Sequence, residues 1–247
     1  MTRAVVLALT VALLAGAGAC ATHAAPPAQR PAPGTTTPAV ATPSSTPPSA
    51  GSEPPARFQG SITQVDATER ARMLASGVWR AGCPVPIDRL RLLRLSYWGF
   101  DGAVRQGTLM VHADVAASVL TVMRRLFAAR FPIQRMVLMD RYGGDDDRSM
   151  AANNTSAFNC RPVAGTGRWS QHAYGRAVDV NPVQNPQVHG QVVSPPAGHS
   201  YLDRTLRTKG MIHPGDLVVR AFAEVGWRWG GDWRSLKDYQ HFSANGR

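Results

Sequence analysis

The sequence predicts an α+β domain built on a small, mostly antiparallel sheet flanked by helices. Three observations carry this expectation. Apolar residues alternate with polar ones over 93–97, and 108–112 repeats a strand-like pattern, as half-buried strands require. Residues 115–126 and 218–225 place apolar side chains at helical spacing. The two kinds of segment are intermixed without the strand–helix–strand regularity of a parallel sheet.

Taken in order, residues 1–19 read as a signal peptide. Arg3 gives a positive start, residues 4–14 form an apolar run too short to span a bilayer, and Ala17-Gly-Ala-Cys20 follows. That tetrapeptide fits a signal-peptidase site and also a loose lipobox with Cys20 as the lipidated residue. Residues 20–57 are dominated by Pro, Ala, Thr and Ser and carry almost no large apolar side chain, so they are expected to be a disordered, extended linker. Residues 58–247 fall within the size of one domain and hold nearly all the aromatic residues.

Within that domain, Asp66 followed by Glu69 marks a capped helix start, and Gly77 its end. Gly99-Phe-Asp-Gly102 is turn chemistry between the strands at 93–97 and 108–112. Asp114 is expected to cap the next helix, whose Val115, Val119, Val122, Met123 and Leu126 share a face and which Pro132 ends. A third strand is expected over 135–140, and residues 141–170 read as a long polar loop with Asp145-Asp-Asp147 as a solvated turn. A fourth strand is expected within 175–181. Asp216 caps a helix with Val218, Phe222 and Val225 inward, closed by Gly226.

The chain has three cysteines and a formal net charge of +11. If Cys20 is consumed by processing, Cys83 and Cys160 remain as a pair, and export permits a disulfide between them worth roughly 2–4 kcal/mol. A cysteine nucleophile is the competing use, but neither residue sits in a nucleophile motif. The basic balance favours an anionic partner. The cations are dispersed and mostly Arg, with no Lys/Arg run, and an exported chain does not meet cytoplasmic nucleic acid. No nucleic-acid partner is therefore expected, and anionic wall polymers or lipid head groups fit the charge better. A membrane enters only through a lipid on Cys20.

The segment carrying chemistry is Trp169-Ser-Gln-His-Ala-Tyr-Gly-Arg-Ala-Val-Asp-Val-Asn-Pro182. A catalytic zinc takes three N or O ligands and leaves one position for water. Gly175 allows a sharp reversal after His172. The strand that follows would turn Val178 and Val180 to the core and Asp179 back toward His172, with small Ala177 leaving room for metal and substrate. Asp238-Tyr-Gln-His241 offers the third ligand, His241, and a carboxylate, Asp238, expected to share a helical turn with it and to serve as general base. Asp232 is a second candidate for that base. The aromatics around the motif, Trp169, Tyr174, Trp227, Trp229, Trp233 and Tyr239, are read first as packing and second as a groove wall. His23, His112, His189, His199 and His213 are read as structural or exposed.

Ser170-x-His172-x-x-Gly175-x-Ala177-x-Asp179 with the downstream Asp238-x-x-His241 resembles the zinc D-alanyl-D-alanine carboxypeptidases and dipeptidases. The L-alanyl-D-glutamate endopeptidases of phage endolysins are similar, and the Hedgehog signalling domain shares their fold. The resemblance covers residues 90–242. It implies Zn²⁺ on His172, Asp179 and His241, Asp238 where many members have Glu, and Ser170 as a substrate contact. It implies hydrolysis of peptidoglycan stem peptides, of the D,D-carboxypeptidase type, with endopeptidase cleavage or a non-catalytic wall-binding module as the alternatives. The family's carbonyl-polarising arginine has three candidates here, Arg141, Arg148 and Arg161, of which Arg161 is favoured because a bridge at Cys160 would fix its backbone. A set of two His and one carboxylate suits zinc and also non-haem iron. The location implied is extracytoplasmic, secreted or lipid-anchored at the bacterial envelope.

Overall fold

The computed structural model describes residues 56–246, within the unit Glu53–Arg247. The expected signal peptide (1–19), the lipidation residue Cys20 and all but the last two residues of the linker lie outside the described residues. In chain order the elements are β1 (Gly60–Gln64), α1 (Ala67–Ala75), β2 (Leu90–Trp98), β3 (Val104–His112), α2 (Ala116–Ala128) and α3 (Asp146–Ala151). There follow β4 (Ala177–Asp179), β5 (Gln187–His189), β6 (Val192–Ser194), α4 (Leu217–Ala223), β7 (Arg228–Trp229), β8 (Lys237–Asp238) and β9 (His241–Ser243).

The α+β class is borne out, but the β-structure among the described residues is three antiparallel sheets of three strands rather than one. β1, β2 and β3 form a meander in which Leu93 pairs Leu109 and Leu95 pairs Gly107. β4, β9 and β7 make the second sheet, and β6, β5 and β8 the third. The principal core lies between α2, α4 and the first two sheets, where Leu93, Leu95, Val119, Val178, Phe222 and Phe242 are buried together. Phe222 and Phe242 stack with ring centroids 4.0 Å apart. A second cluster packs α1 beneath the meander through Met73, Leu90, Leu92 and Met110. Among the described residues, no helix is long and apolar enough to cross a membrane.

Side-chain caps set the starts of α1 and α4. Asp66 accepts from the Glu69 amide at 2.8 Å at the start of α1, and Asp216 accepts from the Val219 amide at 3.0 Å at the start of α4. Three expectations fail here. Asp114 does not cap α2: its carboxylate is held by His112 Nδ1 at 2.6 Å and by Arg176, and Val115 stands at the cap without a side-chain bond. Pro132 does not end α2 either. The helix stops at Ala128, where Phe131 N donates to Leu126 O and Arg130 N to Phe127 O with Arg130 at φ 53°, a Schellman arrangement without glycine. Residues 135–140 are not a strand. Val137 instead exchanges bonds with the Asn154 carboxamide, which takes the place of a partner strand.

The supposed polar loop over 141–170 is also corrected. It contains α3, capped by Asp145, so the acidic run is a helix start rather than a solvated turn. It continues into a buried extended stretch from Asn154 to Cys160. Phe158 N bonds Met110 O on β3, Cys160 N bonds Val78 O, and Ser156 and Asp179 exchange backbone bonds. Those partners let a polar segment run through the interior, because its backbone groups are paired.

Cys83 and Cys160 form a disulfide with Cα atoms 5.9 Å apart, as expected from the pairing argument. It closes 77 residues of chain, which corresponds to about 4 kcal/mol in the chain-entropy account. The paired Cys83→Ala/Cys160→Ala variant should therefore melt roughly 10 °C lower. Equal Tm values in calorimetry under oxidising conditions would show that the bridge adds no stability.

Candidate metal centre

His172 sits on a 3₁₀ turn, Gln171–Tyr174, that Ser170 opens by accepting from the His172 amide at 3.3 Å. Gly175 closes it at φ 65°, and a Cβ there would lie 2.6 Å from the His112 amide nitrogen. Only glycine meets both demands, so the turn can lie tight against the end of β3 and lead directly into β4. Val178 and Val180 then enter the core as expected, and Asp179 turns to the opposite side. Ala177 departs from expectation: it is fully buried and is not part of the cavity wall, so its small size serves packing.

Asp179 and His241 are cross-strand partners on β4 and β9. His241 Nδ1 lies 3.0 Å from Asp179 Oδ1, His172 Nε2 lies 3.1 Å from Asp179 Oδ2, and the two imidazole nitrogens are 3.2 Å apart. His172 Nδ1 donates to the Ala157 carbonyl at 2.6 Å, which fixes the tautomer and leaves Nε2 to face the cluster. All three residues are buried. Burial pushes the Asp179 carboxyl up, but the attraction of His172 and hydrogen bonds from both histidines outweigh it and hold the group well below the usual carboxylate range.

These residues are the group among the described residues able to hold a metal ion. The donor set fits one. Two imidazole nitrogens and a carboxylate converge, one ligand atom from each lying within 4.8 Å of the others, and this donor set is one that zinc takes.

The D-x-x-H pair does not form a helical turn. Asp238 ends β8 and His241 begins β9, so the two belong to different sheets joined by Tyr239 and Gln240. Each residue is fixed by its own register, Gln187 opposite Asp238 and Asp179 opposite His241. Gly230 packs against both: a Cβ there would stand 2.6 Å from Asp238 O and 3.3 Å from His241 Cβ. Asp238 is 6 % exposed, and burial pushes its carboxyl up to about 6 against the opposing pull of His241. Gln187 Nε2 donates to Asp238 Oδ2 at 2.8 Å, whereas Oδ1 has no hydrogen-bond partner among the described residues.

A cavity of about 400 Å³ brings together His172, Asp179, His241, Asp238, Ser170 and Arg161. Of the three candidate arginines, Arg141 and Arg148 are exposed and do not line it. Arg161 does, paired with Asp146 of α3 at 2.6 Å, and its Nε is buried without a partner among the described residues. Asp232 is exposed and faces a separate depression beside Arg228. Trp227 and Trp229 are core, and Trp169, Tyr174 and Tyr239 pack on its margin. Trp233 alone of the six walls the cavity, its ring centroid 5.3 Å from that of His241.

Sequence reasoning missed Gln187, Asp146 and His189 on the cavity wall. His189, expected to be structural or exposed, is exposed at the cavity margin. His213, expected in a loop, is buried beside the start of α4. No local signal marks Gln187, because its place depends on the pairing of β5 with β8.

Residues 164–244 match a family model described as D-alanyl-D-alanine carboxypeptidase, a stretch that contains His172, Asp179, Asp238 and His241 but not Arg161. No curated protein and no solved structure matches the chain. The match supports a peptidase at this coarse level.

The full chain should bind one divalent ion, measured by elemental analysis after dialysis. His172→Ala and His241→Ala should each weaken binding beyond the about 10–100-fold typical of losing a supporting partner. Unchanged metal content in both variants would place the ion elsewhere. Gly230→Ala should cost about 1–3 kcal/mol in denaturant unfolding through the steric overlap at Asp238 and His241.

Proposed function

We propose that the chain is a zinc-dependent peptidase acting on peptidoglycan stem peptides, of the D-alanyl-D-alanine carboxypeptidase type. The observation that carries this is the convergence of His172, Asp179 and His241 in one cavity with a buried carboxyl, Asp238, that keeps one oxygen unpartnered. The family match over the same residues points the same way.

A zinc ion on the three ligands would supply a Lewis acid that polarises a peptide carbonyl and acidifies water. The protein supplies the rest. Asp238 Oδ1 accepts the proton of the attacking water and returns it to the departing amine. Arg161 donates to the scissile carbonyl oxygen as negative charge develops there, and Asp146 holds its guanidinium in place. Ser170 contacts the peptide backbone, and Trp233 forms one wall. A structural zinc site usually takes four protein ligands, and three cluster here among the described residues, which favours a catalytic role. The protein works outside the cytoplasm at the bacterial envelope, secreted or held by lipid on Cys20, and its basic surface suits anionic wall polymers.

Digestion of purified muropeptides, read by mass spectrometry, tests the reading. Loss of one terminal alanine, abolished by chelator and by Asp238→Ala, is the expected result. A cut between the first two stem residues would make it an endopeptidase. No cleavage by metal-loaded protein would leave a wall-binding module.

The pH dependence follows from Asp238. The base works deprotonated, so kcat/KM rises with pH through an acidic limb. Burial, net of the opposing pull of His241, sets that carboxyl at about 6, so the limb falls at about 6. A pH–rate profile retaining the limb in Asp238→Ala would reassign the base.

A further inference from the structure

We propose that Gln187 is the positioning residue of the general base: it ties down one oxygen of Asp238 and keeps that carboxyl from becoming a fourth metal ligand. The inference rests on the zinc-peptidase reading of the same cavity.

The observations are geometric. Gln187 and Asp238 face each other across the β5–β8 pair, so their side chains leave the sheet on the same side. The carboxamide nitrogen donates to Oδ2 at 2.8 Å, and both residues line the cavity. Oδ1 is left buried and without a partner among the described residues. The two oxygens of one carboxylate thus have different surroundings, although a free carboxylate rotates about a nearly two-fold torsion. One strong bond is enough to remove that freedom, and a carboxamide N–H is a donor that carries no charge and does not titrate.

Restraint matters because of what lies next to Asp238. A carboxylate is a good zinc ligand, and a catalytic zinc depends on an open fourth position. Asp238 shares its cavity with the three residues proposed as ligands. A carboxyl free to swing toward a cation in that cavity would close the open position and turn a catalytic centre into a structural one. Gln187 opposes that swing through its bond to Oδ2, anchored by β5, which pairs with β6 as well as β8.

The inference makes two quantities move in opposite directions. Gln187→Met keeps the side-chain volume and removes the donor. In that variant zinc should bind more tightly, by roughly tenfold, while kcat falls by roughly tenfold and KM stays within about twofold. Zinc affinity is read by competition with a chromophoric chelator on the full chain, and thermal unfolding is followed beside it. In an Asp238→Ala background the same substitution should leave zinc affinity unchanged, because its effect passes through Asp238. Zinc affinity that is unchanged or weaker in Gln187→Met overturns the inference, as does tightening that persists without Asp238. A joint fall of affinity, kcat and Tm would make Gln187 merely structural. If the unsubstituted protein cleaves no stem peptide, the functional reading fails, but the affinity measurements still decide the role of Gln187.

Discussion

The register of β4 against β9 is the constraint on which the site depends. Asp179 and His241 are far apart in sequence and become direct neighbours only because these two short strands align Asp179 with His241, Val178 with Phe242 and Ala177 with Ser243. A shift by one residue would send every side chain to the other face. It would also expose Phe242, whose stacking on Phe222 ties the sheet to α4. The same packing that buries an aromatic ring on one side therefore brings together two side chains able to hold a metal on the other. His172 joins them through a separate device, the glycine-closed turn and its bond to Ala157, so the third member of the cluster is set by the interior stretch before the motif.

The electrostatics of the cavity divide the acids by role. Asp179 sits amid histidine donors and keeps its charge despite burial, whereas Asp238 meets fewer compensating contacts and holds its proton more tightly. Asp146 is pushed up by burial and drawn back by Arg161, with which it forms a pair at the rim. Neighbouring carboxyls with divergent proton affinities are the arrangement that lets one act as ligand and another as base at the same pH.

Elements with local signals were legible in the sequence. β2 and β3 of the meander, α1 with its Asp66 cap, α4 with its Asp216 cap and the Val178/Val180 alternation appear where residue chemistry places them, whereas β1 carried no signal that was read. That His172, Asp179 and His241 come together as a group able to hold a metal was legible because their spacing is specific. What failed was decided by distant partners. Asp114 reads as a cap until Arg176 and His112 claim its carboxylate. Residues 135–140 look like a strand until Asn154 satisfies Val137 instead. Asp238 and His241 share a helical spacing, yet two different sheets claim them. The stretch before the motif reads as solvated because its polar side chains carry no sign of the backbone partners that bury it.

That two-sheet arrangement bears on how such a chain can diverge. The third sheet is fed by the β5–β6 hairpin, whose tip at Gly190 lies in open space, with nothing near a Cβ built there. Residues can be added at that tip without disturbing either register, reshaping the cavity margin beside His189. Tyr239 and Gln240 have no such latitude. Tyr239 N bonds Pro186 O, its carbonyl accepts from Trp229 Nε1, its ring lies under the Arg204 guanidinium, and Val180 N bonds Gln240 O. An inserted residue there would have to break one sheet or the other, so length variation is permitted at the margin of the cavity and forbidden at its base.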